Sequence, residues 1–402
     1  MNKSPLSLAV GGMLSTAAGL GVGRFVYTPI LPPMVEALGL SNSQAGLIAS
    51  ANFVGYLLGA LLAAVRLPGS RRAWLIAALA VNAAGLAAMG LTTSLVAFLM
   101  LRLIGGIASA VTLIFGSALV LDRLAAAGRG RLGAVHFAGV GAGIAISAAL
   151  VAMLHDWRTM WLASGALALA AGLAVLLLVP PDRPSSQIRA SGPRQPLPRG
   201  FLPLALAYGL FGFGYIISAT FIVAMVRASR EIAGLEPYIW VMFGVSAAPS
   251  VALWTGLAGR WGIRRTFAIV AFIEALGVAV SALWLTSASV IVTSVLVGGT
   301  LMGLSALGVM GAREGGGDPR PRIALMTAAF SAGQIVGPSF AGYFYDLTGS
   351  LAGPSWAATG ALVAAGFLTF FQTGSVPLSG THDGVEIGVG GGRDEAGRQG
   401  AG

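Results

Sequence analysis

Apolar runs of about twenty residues recur along this chain with short polar gaps between them, and that rhythm leaves few folds open. A helix needs about 20 mostly apolar residues to cross a bilayer. Runs of that size lie near 6–32, 43–65, 73–91, 95–121, 132–153, 159–179, 201–226, 238–258, 266–285, 289–311, 323–344 and 354–373, which makes twelve. Only 9% of the 402 residues are charged, against roughly 25% in soluble globular chains. The expectation is an all-α integral membrane protein. Met1-Asn-Lys3 is basic, but no small-residue cleavage site ends the first run, so that run reads as a span rather than a removed signal peptide.

Charge tests the count. The net charge is +10, and all basic residues but Lys3 are arginines, most of them in the short gaps between runs. With the N-terminus inside, the internal segments hold nineteen of them: Lys3, Arg66, Arg71, Arg72, Arg123, Arg129, Arg131, Arg183, Arg189, Arg194, Arg199, Arg260, Arg264, Arg265, Arg313, Arg320, Arg322, Arg393 and Arg398. The external segments hold Arg158, Arg227 and Arg230. This is the positive-inside pattern, with both termini cytoplasmic. Nucleic acid is not an expected partner, because basic residues spread over many gaps make no single basic face.

The longest internal gap, 180–200, is rich in proline and arginine and reads as a cytoplasmic linker. It separates an N-terminal six-helix bundle (1–179) from a C-terminal one (201–376), with a Gly-rich disordered tail at 377–402. A weak repeat relates the halves. Gly21-x-Gly23 with Met34 recurs as Gly212-x-Gly214 with Met225, offset by 191. Arg71-Arg72 recurs as Arg264-Arg265, Gly105-Gly106 as Gly298-Gly299, and Gly139-x-x-x-Gly143 as Gly333-x-x-x-Gly337, offset by 193 or 194. One match among 59 glycines is noise; four in register argue for pseudo-symmetric bundles.

Two arginines, Arg24 and Arg102, lie inside spans, and Glu274 is the acid within one. A charge inside a membrane faces protein or water and is a functional-site hypothesis by default. Arg24 lies about 27 Å along the first span by helical rise, among the helix breakers Gly21, Gly23, Pro29, Pro32 and Pro33. Bent spans at a midplane site are how two-bundle transporters expose groups to substrate. Arg24, with Tyr27 one turn on, suits a carboxylate or phosphate; the bland alternative is an Arg24–Glu36 pair near the surface. Arg102 reads either as a coupling or substrate residue or as a donor to backbone carbonyls. Glu274 reads as a protonated, hydrogen-bonded structural acid ahead of a proton carrier, and His136 as a gate or a packing residue. Asn52, Asn82 and Gln334 read as interhelical hydrogen-bonding residues first.

The loops after spans two and eight read Ala64-Val-Arg66-Leu-Pro-Gly69-Ser-Arg71-Arg72 and Leu257-Ala-Gly259-Arg260-Trp-Gly262-Ile-Arg264-Arg265. They resemble the Gly-x-Leu-Ala-Asp-Arg-x-Gly-Arg-Lys loop of the major facilitator superfamily, with Val65 and Gly259 where the family has aspartate. Span four (Arg102-Leu-Ile-Gly105-Gly106) and the glycine-rich spans five and eleven, the latter with Gly337-Pro338, resemble family patterns tied to coupling and pivoting. Gly21-Val-Gly-Arg24-Phe-Val-Tyr27-Thr-Pro29-Ile-Leu-Pro32-Pro-Met34, followed by Asn52-Phe-x-Gly55-Tyr56, is similar to the YbfB/YjiJ-like branch. The resemblance implies twelve transmembrane helices in two pseudo-symmetric bundles. The implied cavity lies between them, lined by spans 1, 2, 4, 5, 7, 8, 10 and 11, with Arg24, Tyr27, Asn52, Tyr56, Arg102, Tyr208, Phe213, Tyr215 and Gln334 as candidate substrate contacts.

Enzyme chemistry has little support. His136, His155 and His382 are scattered, cysteine is absent, no carboxylates pair within a span, and no phosphate-binding Walker loop occurs. No metal or cofactor is expected. The expected function is secondary or facilitated transport of a small, anionic or polar organic solute across an inner (plasma) membrane by a monomer. The rival is a non-transporting membrane sensor or assembly protein with a transporter-derived fold.

Overall fold

A computed structural model describes residues 4–65, 67–181, 197–198, 200–314 and 319–371. The expected linker lies largely outside the described residues, as do the tail and Arg66. Among the described residues the fold is all helical, in twelve membrane-scale elements. They are α1 (Pro5–Leu38), α2 (Asn42–Ala64), α3 (Arg71–Met89), α4 (Leu95–Ala126), α5 (Gly133–Ala152), α6 (Trp157–Leu178), α7 (Phe201–Ala228), α8 (Ala233–Trp261), α9 (Ile263–Leu283), α10 (Ser287–Arg313), α11 (Arg320–Thr348) and α12 (Ala352–Phe370). Eleven are long and apolar enough to cross a membrane. The other, α12, is 19 residues long and diluted by Pro354, Ser355 and three glycines.

Two elements are broken. In α1 a regular helix ends at Thr16, a π-helical stretch covers Ala17–Val22, and a second helix starts at Tyr27. Breakers were expected on both sides of Arg24, yet Pro29, Pro32 and Pro33 sit inside the regular second helix. The glycine side carries the break. In α8 the interruption at Ala248-Pro249 follows from proline, which cannot donate to the preceding turn.

The bundles repeat one packing scheme. A Cβ on Gly139 would meet Met13 O at 2.0 Å, and one on Gly143 would meet Ala17 O at 2.6 Å, so both glycines let α5 lie on α1. Gly333 and Gly337 do the same for α11 on α7, where a Cβ would meet Gly209 O at 2.1 Å and Ile216 Cγ2 at 2.6 Å. The loop arginines tie helix ends together: Arg72 donates to Leu176 O and Val179 O at the end of α6, and Arg71 pairs with Asp122 on α4. In the other half Arg264 pairs with Glu314 at the end of α10. Gly262, at φ +84°, makes the left-handed link from α8 to α9. Arg260 and Arg265 lie at this same arginine-rich end.

The bundles meet along one half of their length. The second helix of α1 packs on α7, α2 on α11, and the first helix of α8 on α5. The first helix of α1 packs mainly within its own bundle, and the second helix of α8 barely touches α5. The seam is therefore tight at the arginine-poor end, and these elements part toward the arginine-rich end.

Candidate functional site

The break in α1 releases backbone carbonyls, and side chains collect there to satisfy them. Asn82 donates to Ala18 O and Gly19 O (3.3 and 3.1 Å), and Ser109 donates to Gly19 O (2.7 Å). Arg102 donates to Gly23 O and Arg24 O (3.3 and 3.1 Å), with its guanidinium 5.0 Å from the Tyr27 ring centre. Pro29 brings no N–H to Phe25 O one turn back; Thr28 N (3.3 Å) and Trp240 of the opposite bundle (3.1 Å) both donate there. An unsatisfied buried carbonyl costs about 1–3 kcal/mol, so this ring of donors fixes the irregular segment and aims residue 24.

Arg24 projects from that segment into the seam and is 5% exposed. Its guanidinium lies 4.5 Å from the Phe53 ring centre, 4.8 Å from Tyr56 and 5.2 Å from Phe25. One terminal nitrogen donates to the Tyr215 hydroxyl of α7 (3.2 Å), which Gln334 of α11 also contacts through Nε2. Arg24 Nε and Gln334 Oε1 are buried without a hydrogen-bond partner. No acid among the described residues pairs with Arg24. Glu36, the alternative partner considered from sequence, is taken by Arg227.

Of the expected contacts, Arg24, Tyr56, Tyr215 and Gln334 come together here. Tyr208 stands nearby, its hydroxyl donating to Ser305 O and its ring stacked on Phe330 at 4.7 Å. The others stand apart. Tyr27 turns away from Arg24: its hydroxyl donates to Ala45 O and its ring lies toward Trp161. Asn52 donates to Arg102 O, so Asn52 and Arg102 brace helices. Phe213 packs on Phe340. His136 is enclosed within its own bundle, 2.9 Å from the Ser117 hydroxyl. Gly337 lets α11 approach α7, and Pro338 presents its carbonyl to α2, 2.2 Å from where a Cβ on Gly46 would sit.

Sequence reasoning missed Phe25, Phe53, Phe330 and Trp240. Phe53 and Tyr56 share a face of α2 by their i, i+3 spacing, as Phe330 and Gln334 do on α11 by i, i+4. Those spacings were readable. Toward the arginine-poor end a cavity of about 240 Å³ opens between Pro29, Pro33, His155, Arg227, Glu236 and Trp240. Trp240 thus stands between this cavity and Arg24's segment. The seam beyond it is closed by Arg227 on Glu36 (2.5 and 2.8 Å), Thr28 on Ala219 O (2.7 Å), Ser50 on Ile335 O (2.6 Å) and Asp346 accepting from the first N–H groups of α2 (3.0 and 2.8 Å).

A family model described as "Uncharacterised MFS-type transporter YbfB" matches residues 16–370. The chain is 28% identical to the chloramphenicol resistance protein of Streptomyces lividans, over 88% of this chain and 92% of that one. The nucleoside transporter NupG shares the fold with a TM-score of 0.68 at 16% identity, covering 92% of this chain and 99% of NupG. A bacterial homolog of the human lysosomal transporter Spinster, solved inward-facing and unoccupied, gives 0.66 at 15% identity over 92% and 96%.

Proposed function

The chain belongs to the YbfB-type family of major facilitator transporters, and from that premise we propose that it carries a small organic anion or strongly polar solute by alternating access. One observation carries the reading: a buried guanidinium on the seam between bundles with no anion among the described residues. Burying a charge costs several kcal/mol. Three aromatic faces return about 0.5–2 kcal/mol each, and a hydrogen bond from a charged donor about 1.5–3. That sum holds Arg24 in place but leaves its remaining N–H groups undischarged, and an oxyanion meets both needs. Tyr56, Tyr215, Gln334 and Tyr208 frame the same space.

The arginine bias sets the rest of the proposal. It supports an orientation with the arginine-rich end in the cytoplasm of an inner membrane; in that orientation a seam closed at the other end is an inward-open transporter. The two bundles, 1–179 and 201–376, rock about Arg24 as a monomer.

Benzoate, a flat carboxylate, is the probe. It should raise the melting temperature of detergent-purified protein, as any ligand of the folded state does. Arg24→Ala should abolish the shift, and Arg24→Lys should recover little of it, because a point charge lacks the planar fork. Full stabilisation of Arg24→Ala refutes the anion reading. A second reading, an uncharged aromatic drug, is supported by the stacked rings of Tyr208, Phe211, Tyr215 and Phe330 and by the chloramphenicol resistance relative. Chloramphenicol stabilising wild type and Arg24→Ala alike would favour it. Proteoliposomes that bind a solute but never move it would favour the sensor.

A further inference from the structure

Two buried polar atoms at the seam lack a partner, one from each bundle: Arg24 Nε of α1 and Gln334 Oε1 of α11. Both residues hang on one hydroxyl. Arg24 donates to the Tyr215 oxygen (3.2 Å), and Gln334 Nε2 donates to the same oxygen. Tyr215 accepts from both, so its own proton is left to donate. Gln334 is fully buried, and a buried amide oxygen without a donor is rare in native interiors. Holding α11 to α7 accounts for the amide nitrogen. It does not account for the oxygen. Glu274, read from sequence as a hydrogen-bonded acid, is also buried with both carboxyl oxygens unbonded, and the Thr300 hydroxyl beside it donates to Leu296 O instead (2.7 Å). But α9, which carries Glu274, packs within the C-terminal bundle, whereas Gln334 reaches the seam.

The two open atoms differ in kind. The N-terminal bundle offers a cationic donor, and the C-terminal bundle offers a neutral acceptor. A bare carboxylate answers the first and leaves the second facing it, oxygen against oxygen. A carboxylate that also carries an O–H or N–H answers both. We propose that Gln334 sets specificity by accepting a hydrogen bond from a neutral donor on the solute, so that the site selects a hydroxy acid or an N-acylated amino acid over a bare carboxylate, an inference that rests on the anion reading of Arg24. The donor is neutral because an ammonium there would repel Arg24, whose charge no acid among the described residues offsets. It lies close to the carboxylate in the solute, because a single hydroxyl bridges the two protein groups that would hold them.

Three carboxylates that differ at one carbon test this. They are phenylacetate, mandelate, which adds an α-hydroxyl, and α-methoxyphenylacetate, which keeps that oxygen without its proton. Each, with enantiomers separate, is titrated calorimetrically against detergent-purified wild type at neutral pH. One enantiomer of mandelate should bind about two- to tenfold more tightly than phenylacetate, the worth of one neutral hydrogen bond. The methoxy acid should bind no better than phenylacetate. In Gln334→Leu, mandelate and phenylacetate should bind alike, whereas a purely structural role for the amide would weaken both and keep their ratio. If Gln334→Leu does not fold, the three ligands on wild type decide. Equal binding of mandelate and phenylacetate by wild type overturns the role of Gln334 and leaves the anion reading standing. So does a methoxy acid that binds as tightly as mandelate, which would mean that the amide presents its N–H there, or a preference that survives in Gln334→Leu. If none of the three carboxylates binds wild type, the anion reading is refuted and the selectivity falls with it.

Discussion

Removing the closed-end latch should open the arginine-poor end by an amount the geometry sets. Arg227 makes a two-pronged contact with Glu36 at 2.5 and 2.8 Å, but the Glu36 side chain is 61% exposed. Exposed pairs are worth about 0.2–1 kcal/mol, and two-pronged geometry puts this one near the top of that range. Asp346 accepts from Asn42 N and Ser43 N, acting as a cap on α2 supplied by the other bundle. A helix cap contributes about 1 kcal/mol. Both bonds exist only while the seam is closed, so Glu36→Gln with Asp346→Ala should cost the closed state about 2 kcal/mol, roughly a 30-fold change in its ratio to the open one. The chain has no cysteine, so spin labels placed at Thr93→Cys and Glu231→Cys, both exposed and on opposite bundles, report this end cleanly. Electron–electron distance distributions should gain a longer population in the double variant. An unchanged distribution would show that the latch contributes nothing and that apolar packing alone closes the seam.

Two further outcomes follow from the broken first helix and its neighbours. Arg102→Met strips donors from Gly23 O and Arg24 O and should lower stability by about 2–4 kcal/mol in thermal unfolding, the lost bonds outweighing relief of a buried charge; a stability equal to wild type would mean that water or backbone shifts replace it. Gly139→Ala meets Met13 O within its own bundle and should lower the melting temperature, whereas Gly141→Ala meets Ala248 N across the seam at 2.3 Å and should instead lengthen the Thr93–Glu231 distances.

How much of this was legible depended on the range of the signal. The twelve runs, the charge bias and the repeat are chain-wide, and small local errors do not erase them. Arg24 announced itself because one charge in an apolar run is costly wherever it points. Its company did not. Tyr27 was placed beside Arg24 on ideal helical spacing, but the chain leaves the helix over residues 23–26 and Tyr27 opens a new helix, so the two side chains part and Tyr27 meets Arg102 and Ala45. Arg102 and Arg24 look alike in sequence, and only the direction of the released carbonyls makes one a brace and leaves the other to reach across the seam to Tyr215. Pro29 was read as a breaker, yet its effect is to withhold one donor from Phe25 O, which Trp240 of the other bundle shares with Thr28 N.

The repeat offset has a physical sequel at the seam. Arg24 bonds to Tyr215, Thr28 to Ala219, and Glu36 pairs with Arg227, each pair being 191 residues apart, the offset that relates Gly21 to Gly212 in sequence. Residues that face their own counterparts lie beside the pseudo-two-fold axis. A strictly symmetric chain would set like against like there: arginine on arginine, or glutamate on glutamate, repelling at close range. Divergence between the halves is therefore required at the axis, and it appears there as cation against hydroxyl, hydroxyl against carbonyl, and acid against base. An axis position that must differ between halves gives the seam one cation rather than two. Under the proposed anion reading, such a site takes a single negative charge, held from the N-terminal side and oriented by the tyrosine opposite.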